Sequence, residues 1–215
     1  MNALKLAWMI FMVMVLVSAI SIGIVPSDVQ VPVHWNINGE VDSVKSLPYA
    51  LMMYLVIMFL MLGLIQGFTY FEPRKENLVQ SGKAKGWIAL AVISLLSIIS
   101  LSTIAIAFGY DVPINRVTFV SLMGVFLIVG NFLSKTKSNF FIGIRTPWTL
   151  SSEENWRKTH RLGGRIFMLA ALVGISLAFI VAKEQLVYLI FALIVPAALI
   201  PCIYSWYVWY RNDKQ

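Results

Sequence analysis

Polar and apolar positions along this chain fall in long blocks. Apolar runs cover residues 6–24, 48–71, 87–108, 117–133, 166–181 and 186–210. A helix needs about 20 apolar residues to cross a hydrocarbon core, with a range of about 17–25. The runs are continuous, whereas a closed barrel needs alternating strands of ~10 residues, so they read as helices. The fifth run is short and borrows length from residues 162–165, since Arg165 can snorkel to the interface. Pro196 and Pro201 are expected to kink the last helix. The first run is preceded only by Lys5 and is long for a signal-peptide core, so it reads as a retained span. The expected fold class is an all-α membrane protein with six transmembrane helices.

Orientation follows from Lys and Arg. Fourteen of the 17 lie on one side: Lys5, four between residues 74 and 85, seven between 135 and 165, and Arg211 and Lys214 in the tail. Lys45, Arg116 and Lys183 make up the other side, while Asp and Glu split five and five. Both termini are therefore expected to be cytoplasmic. Composition agrees: 59% of the 215 residues are hydrophobic and 13% charged, too apolar for a soluble domain or a disordered chain. The net charge of +7 is dispersed among short inter-span segments, which argues against direct nucleic-acid binding. Cys202 is the single cysteine, so no intramolecular disulfide can form.

No Asp, Glu, Lys, Arg or His falls in the central turns of a span, which counts against an ion-coupled transporter. The series Ser94, Ser97, Ser100 and Thr103 follows one helix face and reads as helix packing ahead of a polar pathway. Gly63 and Gly67 have the spacing of a close helix contact, a weak signal alone. Aromatics at span ends, among them Trp8, Trp87, Tyr110 and Trp209, suit interfacial anchoring.

Two connecting segments carry more. In the extracytoplasmic segment 26–46, Val31, Val33 and Trp35 alternate with Pro32, His34 and Asn36, as in a short strand. Asn38-Gly39 then signals a turn, since Asn and Gly accept positive φ. A small hairpin on the outer surface is expected. His34 lacks ligand spacing with Asp28, Glu40 and Asp42, so it reads as turn-stabilising or interfacial rather than metal-binding.

The cytoplasmic segment 139–165 is denser. Phe140, Phe141, Ile142 and Ile144 are too few to span but can dip into the interface. Thr146 precedes Pro147 and is pushed towards extended geometry. Ser151 and Glu154 have capping-box spacing, so an amphipathic helix should start near Ser152 and end or bend at Gly163-Gly164. Glu153 with Arg157, and Glu154 with Lys158, are spaced for i, i+4 pairs. Arg157, Arg161 and Arg165 form a basic face; Trp156, Thr159, His160 and Gly163 form another. A basic helix on anionic headgroups, a partner-docking surface and a packed plug are all compatible readings. The crowding of Asn139, Thr146, Trp148, Thr149, Trp156 and His160 exceeds what lipid binding requires. The guanidinium of Arg145 is expected to pin the turn through residue 150, so that Trp148 and the Trp156/His160 face present one fixed cytoplasmic surface. No catalytic constellation, phosphate loop or cofactor motif stands out, so neither an enzyme nor a cofactor is expected.

Phe141-Ile-Gly143-Ile-Arg145-Thr-Pro147-Trp-Thr149-Leu, followed by Trp156 and Thr159-His160-Arg161-Leu-Gly163-Gly164-Arg165, resembles the carboxy-half signature of the SdpI-type membrane proteins, immunity proteins against a sporulation-delay peptide toxin. Pro32-Val-His34-Trp35-Asn36-Ile-Asn38-Gly39 resembles the short domain of unknown function that often precedes it. The resemblance implies a multipass protein of the bacterial cytoplasmic membrane, divided at residues 1–71 and 72–215, that protects its host from a membrane-active peptide toxin. It further implies a cytoplasmic repressor as a partner in one branch. It supplies no catalytic residue. The rival reading is a transporter or channel for a small amphipathic solute or peptide.

Cysteine labelling in a background lacking Cys202 checks the orientation. A cysteine at Asn38 should react with an impermeant reagent from outside, and one at Ser151 should not; reversed labelling overturns the topology.

Overall fold

A computed structural model describes residues 2–212, so Lys214 of the basic tail lies outside the described residues. The chain is mostly helical. Six of its helices are long and apolar enough to cross a membrane: α1 (Ala3–Ile24), α2 (Leu47–Phe71), α4 (Gly82–Ala107), α5 (Ile114–Leu133), α7 (Glu153–Leu177) and α8 (Leu186–Asn212). Short helices α3 (Lys75–Gln80) and α6 (Pro147–Ser151) and a 3₁₀ turn (Lys183–Gln185) complete the helical set. Side chains such as Leu16, Leu64, Leu169 and Leu199 stay more than half exposed. An apolar exterior of this kind suits lipid rather than water.

Strands β1 (Gln30–Trp35) and β2 (Val41–Ser46) form an antiparallel hairpin between α1 and α2. The Asn36 carboxamide organises its turn: Oδ1 accepts from the amides of Asn38 and Glu40, at 2.9 and 3.0 Å. Gly39 follows at φ 77°, where a β-carbon would be strained. Pro32 is paired opposite Val44, beside a register shift between Pro32 and His34. Val31 points into a buried cluster with Leu47, Leu51 and Tyr54, which seats the hairpin on the bundle.

Two three-helix groups carry separate cores. Ala7, Met14, Met58, Leu62 and Ile93 pack α1, α2 and α4 together. Phe119, Met123, Ala171, Ala178 and Leu186 pack α5, α7 and α8. Helices α4 and α5 join the groups, with Trp87 stacked on Phe132. Ser97, Ser100 and Thr103 are buried in the packed face of α4, as the packing reading required; Ser97 and Thr103 bond carbonyls one turn back in the same helix.

Two expectations are corrected. The amphipathic helix and the fifth span are one helix, α7, running unbroken through Gly163-Gly164 and ending at Leu177. Those glycines are a packing device: a β-carbon on Gly164 would sit 2.6 Å from the Gly130 carbonyl, and one on Gly130 would sit 2.8 Å from the Gly164 carbonyl. Conversely, Gly63 and Gly67 have nothing within 4 Å of a built β-carbon, so their spacing marks no contact within the chain. The last span remains one helix through Pro196 and Pro201.

Gly130→Ala and Gly164→Ala should each destabilise the protein by about 1–3 kcal/mol, the cost of overpacking a site that cannot give way. Gly63→Ala and Gly67→Ala should be neutral or stabilising, by up to about 1 kcal/mol of helix propensity. Thermal unfolding of the four variants in detergent checks the contrast.

Candidate functional site: a buried polar knot at the basic end

Between α5 and α7 the backbone leaves helical geometry for over a dozen residues, and its amides and carbonyls lose their helical partners. Side chains replace them. Asn139 is fully buried; its Oδ1 accepts from the amides of Phe141 and Ile142, and its Nδ2 donates to the carbonyls of Lys137 and Ile142, all between 2.7 and 3.1 Å. Thr146 and Thr149 form a reciprocal capping box that starts α6, with Pro147 in its first turn. The Thr149 hydroxyl also reaches the Ile144 carbonyl at 2.8 Å. Thr146 meets the Ser205 hydroxyl of α8 at 2.9 Å.

His160 closes the knot from α7. Its Nε2 accepts the Ile144 amide at 2.9 Å, and its Nδ1 faces the Trp156 carbonyl at 2.8 Å. An amide can only donate, so the ring is neutral with its proton on Nδ1. The Trp156 and His160 rings stack with centroids 3.9 Å apart, and the indole N–H donates to the Thr136 carbonyl at 3.0 Å. Gly143 lies against both rings at φ 132°; a β-carbon there would come 2.8 Å from the indole. Asn155, one turn before Thr159, donates to the Ser205 carbonyl at 2.8 Å and accepts from the Thr159 hydroxyl.

The structure therefore gathers Asn139, Gly143, Thr146, Thr149, Trp156 and His160 into one buried cluster, with Gly164 a turn deeper at the α5–α7 crossing. The Trp156/His160 face is thus internal: the two side chains are 1% and 0% exposed, so the fixed cytoplasmic surface expected of them does not exist. Trp148 is half-buried near Trp209. Arg145 is exposed, and its guanidinium donates to the Phe140 carbonyl at 2.7 Å, which lies before the 145–150 turn it was expected to pin. Arg161 is exposed with Arg157 and Arg165, outside the knot.

Capping differs from the expected pattern as well. The cap of α7 is Ser152, accepting from Asn155, while Ser151 ends α6 and donates to the Trp148 carbonyl. Of the two expected helix pairs, Glu154–Lys158 forms at 2.6 Å; Glu153 instead lies 3.5 Å from the Asn77 amide nitrogen.

Two residues to which the sequence reading gave no site role complete the knot. Glu72, at the end of α2, is 0% exposed, and its oxygens accept from the amides of Arg74 and Phe140 at 2.8 and 2.9 Å. Arg74 donates to the Ser138 hydroxyl and to the Leu150 carbonyl and lies over the Phe140 ring. The available signal was Glu72-Pro73-Arg74 directly at the end of an apolar run, where an acid and a base are held to fixed positions.

At the opposite end, Trp35, Asn36, Asn38 and Gly39 sit at the hairpin tip. The Asn115 side chain of α5 donates to the Gly39 carbonyl at 2.9 Å. His34 bonds Asp42 across the strands at 2.6 Å, a turn-stabilising contact at an exposed position. No group of three or more His, Cys, Asp or Glu among the described residues could hold a metal ion.

Six spans with a buried, hydrogen-bonded polar knot at one end define a multi-pass cell-membrane protein. Residues 135–205, which contain most of the knot, match the SdpI/YfhL protein family. The chain is also similar to Immunity protein SdpI of Bacillus subtilis (strain 168), at 28% identity over 180 residues, 83% of each chain. The resemblance carried by residues 141–165 is thereby borne out. No solved structure matches.

Glu72→Ala leaves two amides without acceptors, and His160→Phe keeps a ring on Trp156 but strands the Ile144 amide. Each should cost about 1–3 kcal/mol per orphaned group. Glu154→Ala loses only the exposed Lys158 pair and should leave stability almost unchanged. Unfolding in detergent reads all three.

Proposed function

We propose that this protein is an immunity factor that protects its cell from a membrane-active peptide toxin, and that it works by binding. The observation that carries this reading is the similarity to Immunity protein SdpI across 83% of both chains. Binding is favoured over coupled transport because the central turns of the apolar runs hold no Asp, Glu, Lys, Arg or His. The basic end is cytoplasmic and the hairpin faces outward, where a toxin arrives. The tip is fastened to α5 through Asn115 and Gly39, so it meets a ligand already ordered. On the cytoplasmic side, the exposed Arg157, Arg161 and Arg165 face anionic headgroups. The same face is where a cytoplasmic repressor would dock.

A deletion strain challenged with membrane-active peptides tests the reading. Loss of the protein should sensitise cells, and re-expression should protect them even when ion gradients are dissipated. Unchanged sensitivity in the deletion overturns the immunity role. Protection that vanishes with the gradient overturns binding in favour of transport.

A further inference from the structure

At the hairpin end, α5 and α8 leave a cleft of two adjoining chambers. The outer one, about 430 Å³, lies beside the hairpin tip and is lined by Asp111, Arg116 and Lys183. The inner one, about 150 Å³, is walled by Phe119, Leu122, Leu186 and Ile190. Trp35, Gly39, Asn115 and Lys183 border both.

Three basic residues belong to this end of the protein, and two of them converge on the cleft. The third, Lys45, lies over the Tyr49 ring instead, 5.6 Å from its centroid. Arg116 commits one arm to the Val181 carbonyl at 3.2 Å, while its buried Nε has no hydrogen-bond partner. Buried N–H groups are nearly always bonded, and a guanidinium with a donor to spare suits an oxyanion. The Asn115 amide, by contrast, is already spent on the hairpin. Arg116 and Lys183 therefore outnumber the one carboxylate at the mouth, Asp111, and an apolar slot opens beside them between two spans. A free anion makes no use of the slot, and a purely apolar molecule makes no use of Arg116.

We propose that this cleft binds an anionic phospholipid. Its phosphate sits against Arg116 and Lys183, and the upper part of one acyl chain lies against Phe119, Leu122, Leu186 and Ile190. The lipid phosphate takes up guanidinium donors that the Val181 carbonyl leaves free and seals the seam beside the hairpin.

Native mass spectrometry of the full chain, purified in detergent, stripped of lipid and titrated with phosphatidylglycerol, phosphatidylcholine or inorganic phosphate, tests this. Phosphatidylglycerol should bind more tightly than phosphatidylcholine, whose cationic headgroup opposes the basic mouth, and millimolar phosphate should not displace it. Lys183→Gln should weaken phosphatidylglycerol binding about fivefold, the worth of one basic side chain at an anionic lipid. Arg116→Gln should weaken it at least as much, and Leu122→Trp, which fills the slot, should weaken both lipids. Lys45→Gln should change nothing. Lys183 is exposed and bridges no other element by its side chain, so its variant reports binding even if Arg116→Gln misfolds. Unchanged binding in Lys183→Gln, an equal loss in Lys45→Gln, or displacement by phosphate alone overturns the proposal. So does a co-purifying peptide that occupies the cleft in place of lipid and is lost in Leu122→Trp.

Discussion

The stretch between α5 and α7 sets the terms for this structure. Backbone that leaves a helix beside a bilayer cannot leave its amides and carbonyls bare, because each unsatisfied group costs several kcal/mol in hydrocarbon. Here the partners are drawn from three separate parts of the chain. Glu72 and Arg74 come from the end of α2, Asn139 from the stretch itself and His160 from α7, while Ser205 of α8 holds the Thr146 hydroxyl. The hydrogen bonds that permit an irregular connection thereby lock the two three-helix groups to each other at this end.

That lock explains why α7 carries both polar and apolar duties. Its first four turns bury Trp156, Thr159 and His160 while keeping Arg157, Arg161 and Arg165 exposed, and its later turns cross the bilayer. A single unbroken helix then connects the knot to the Gly130–Gly164 crossing and to the core around Met123 and Ala171. The opposite end is held as firmly by the Asn36 turn and the Asn115 tether. Such ordering suits the binding role proposed above, because little conformational entropy remains to be lost when a ligand arrives.

The spans and the hairpin were legible in the sequence because both rest on local pattern. Block hydrophobicity marked the six helices, and Asn38-Gly39 marked the turn. The knot was legible only as a density of unusual residues. That Asn139, Thr146, Thr149, Trp156 and His160 mattered together could be read; that they face inward could not, because burial is decided by α5 and α8. Glu72 escaped notice for the same reason: its partner amide on Phe140 is 68 residues away and belongs to the backbone, which has no sequence signature. The capping signal slipped by one residue because two serines in a row, Ser151 and Ser152, both suit a cap, and only the second has the extended geometry. The glycine signal misled outright. Spacing favoured Gly63 and Gly67, whereas the close approach uses Gly130 and Gly164, one from each helix.

Amide hydrogen exchange across residues 138–150 tests the central claim, that this connection is a fixed element rather than a surface loop. The amides of Phe140, Ile142 and Ile144, bonded to Glu72, Asn139 and His160 respectively, should exchange as slowly as those in the buried turns of α5 and α7. Exchange of these three at the rate of an open loop, with α5 and α7 still protected, would contradict it.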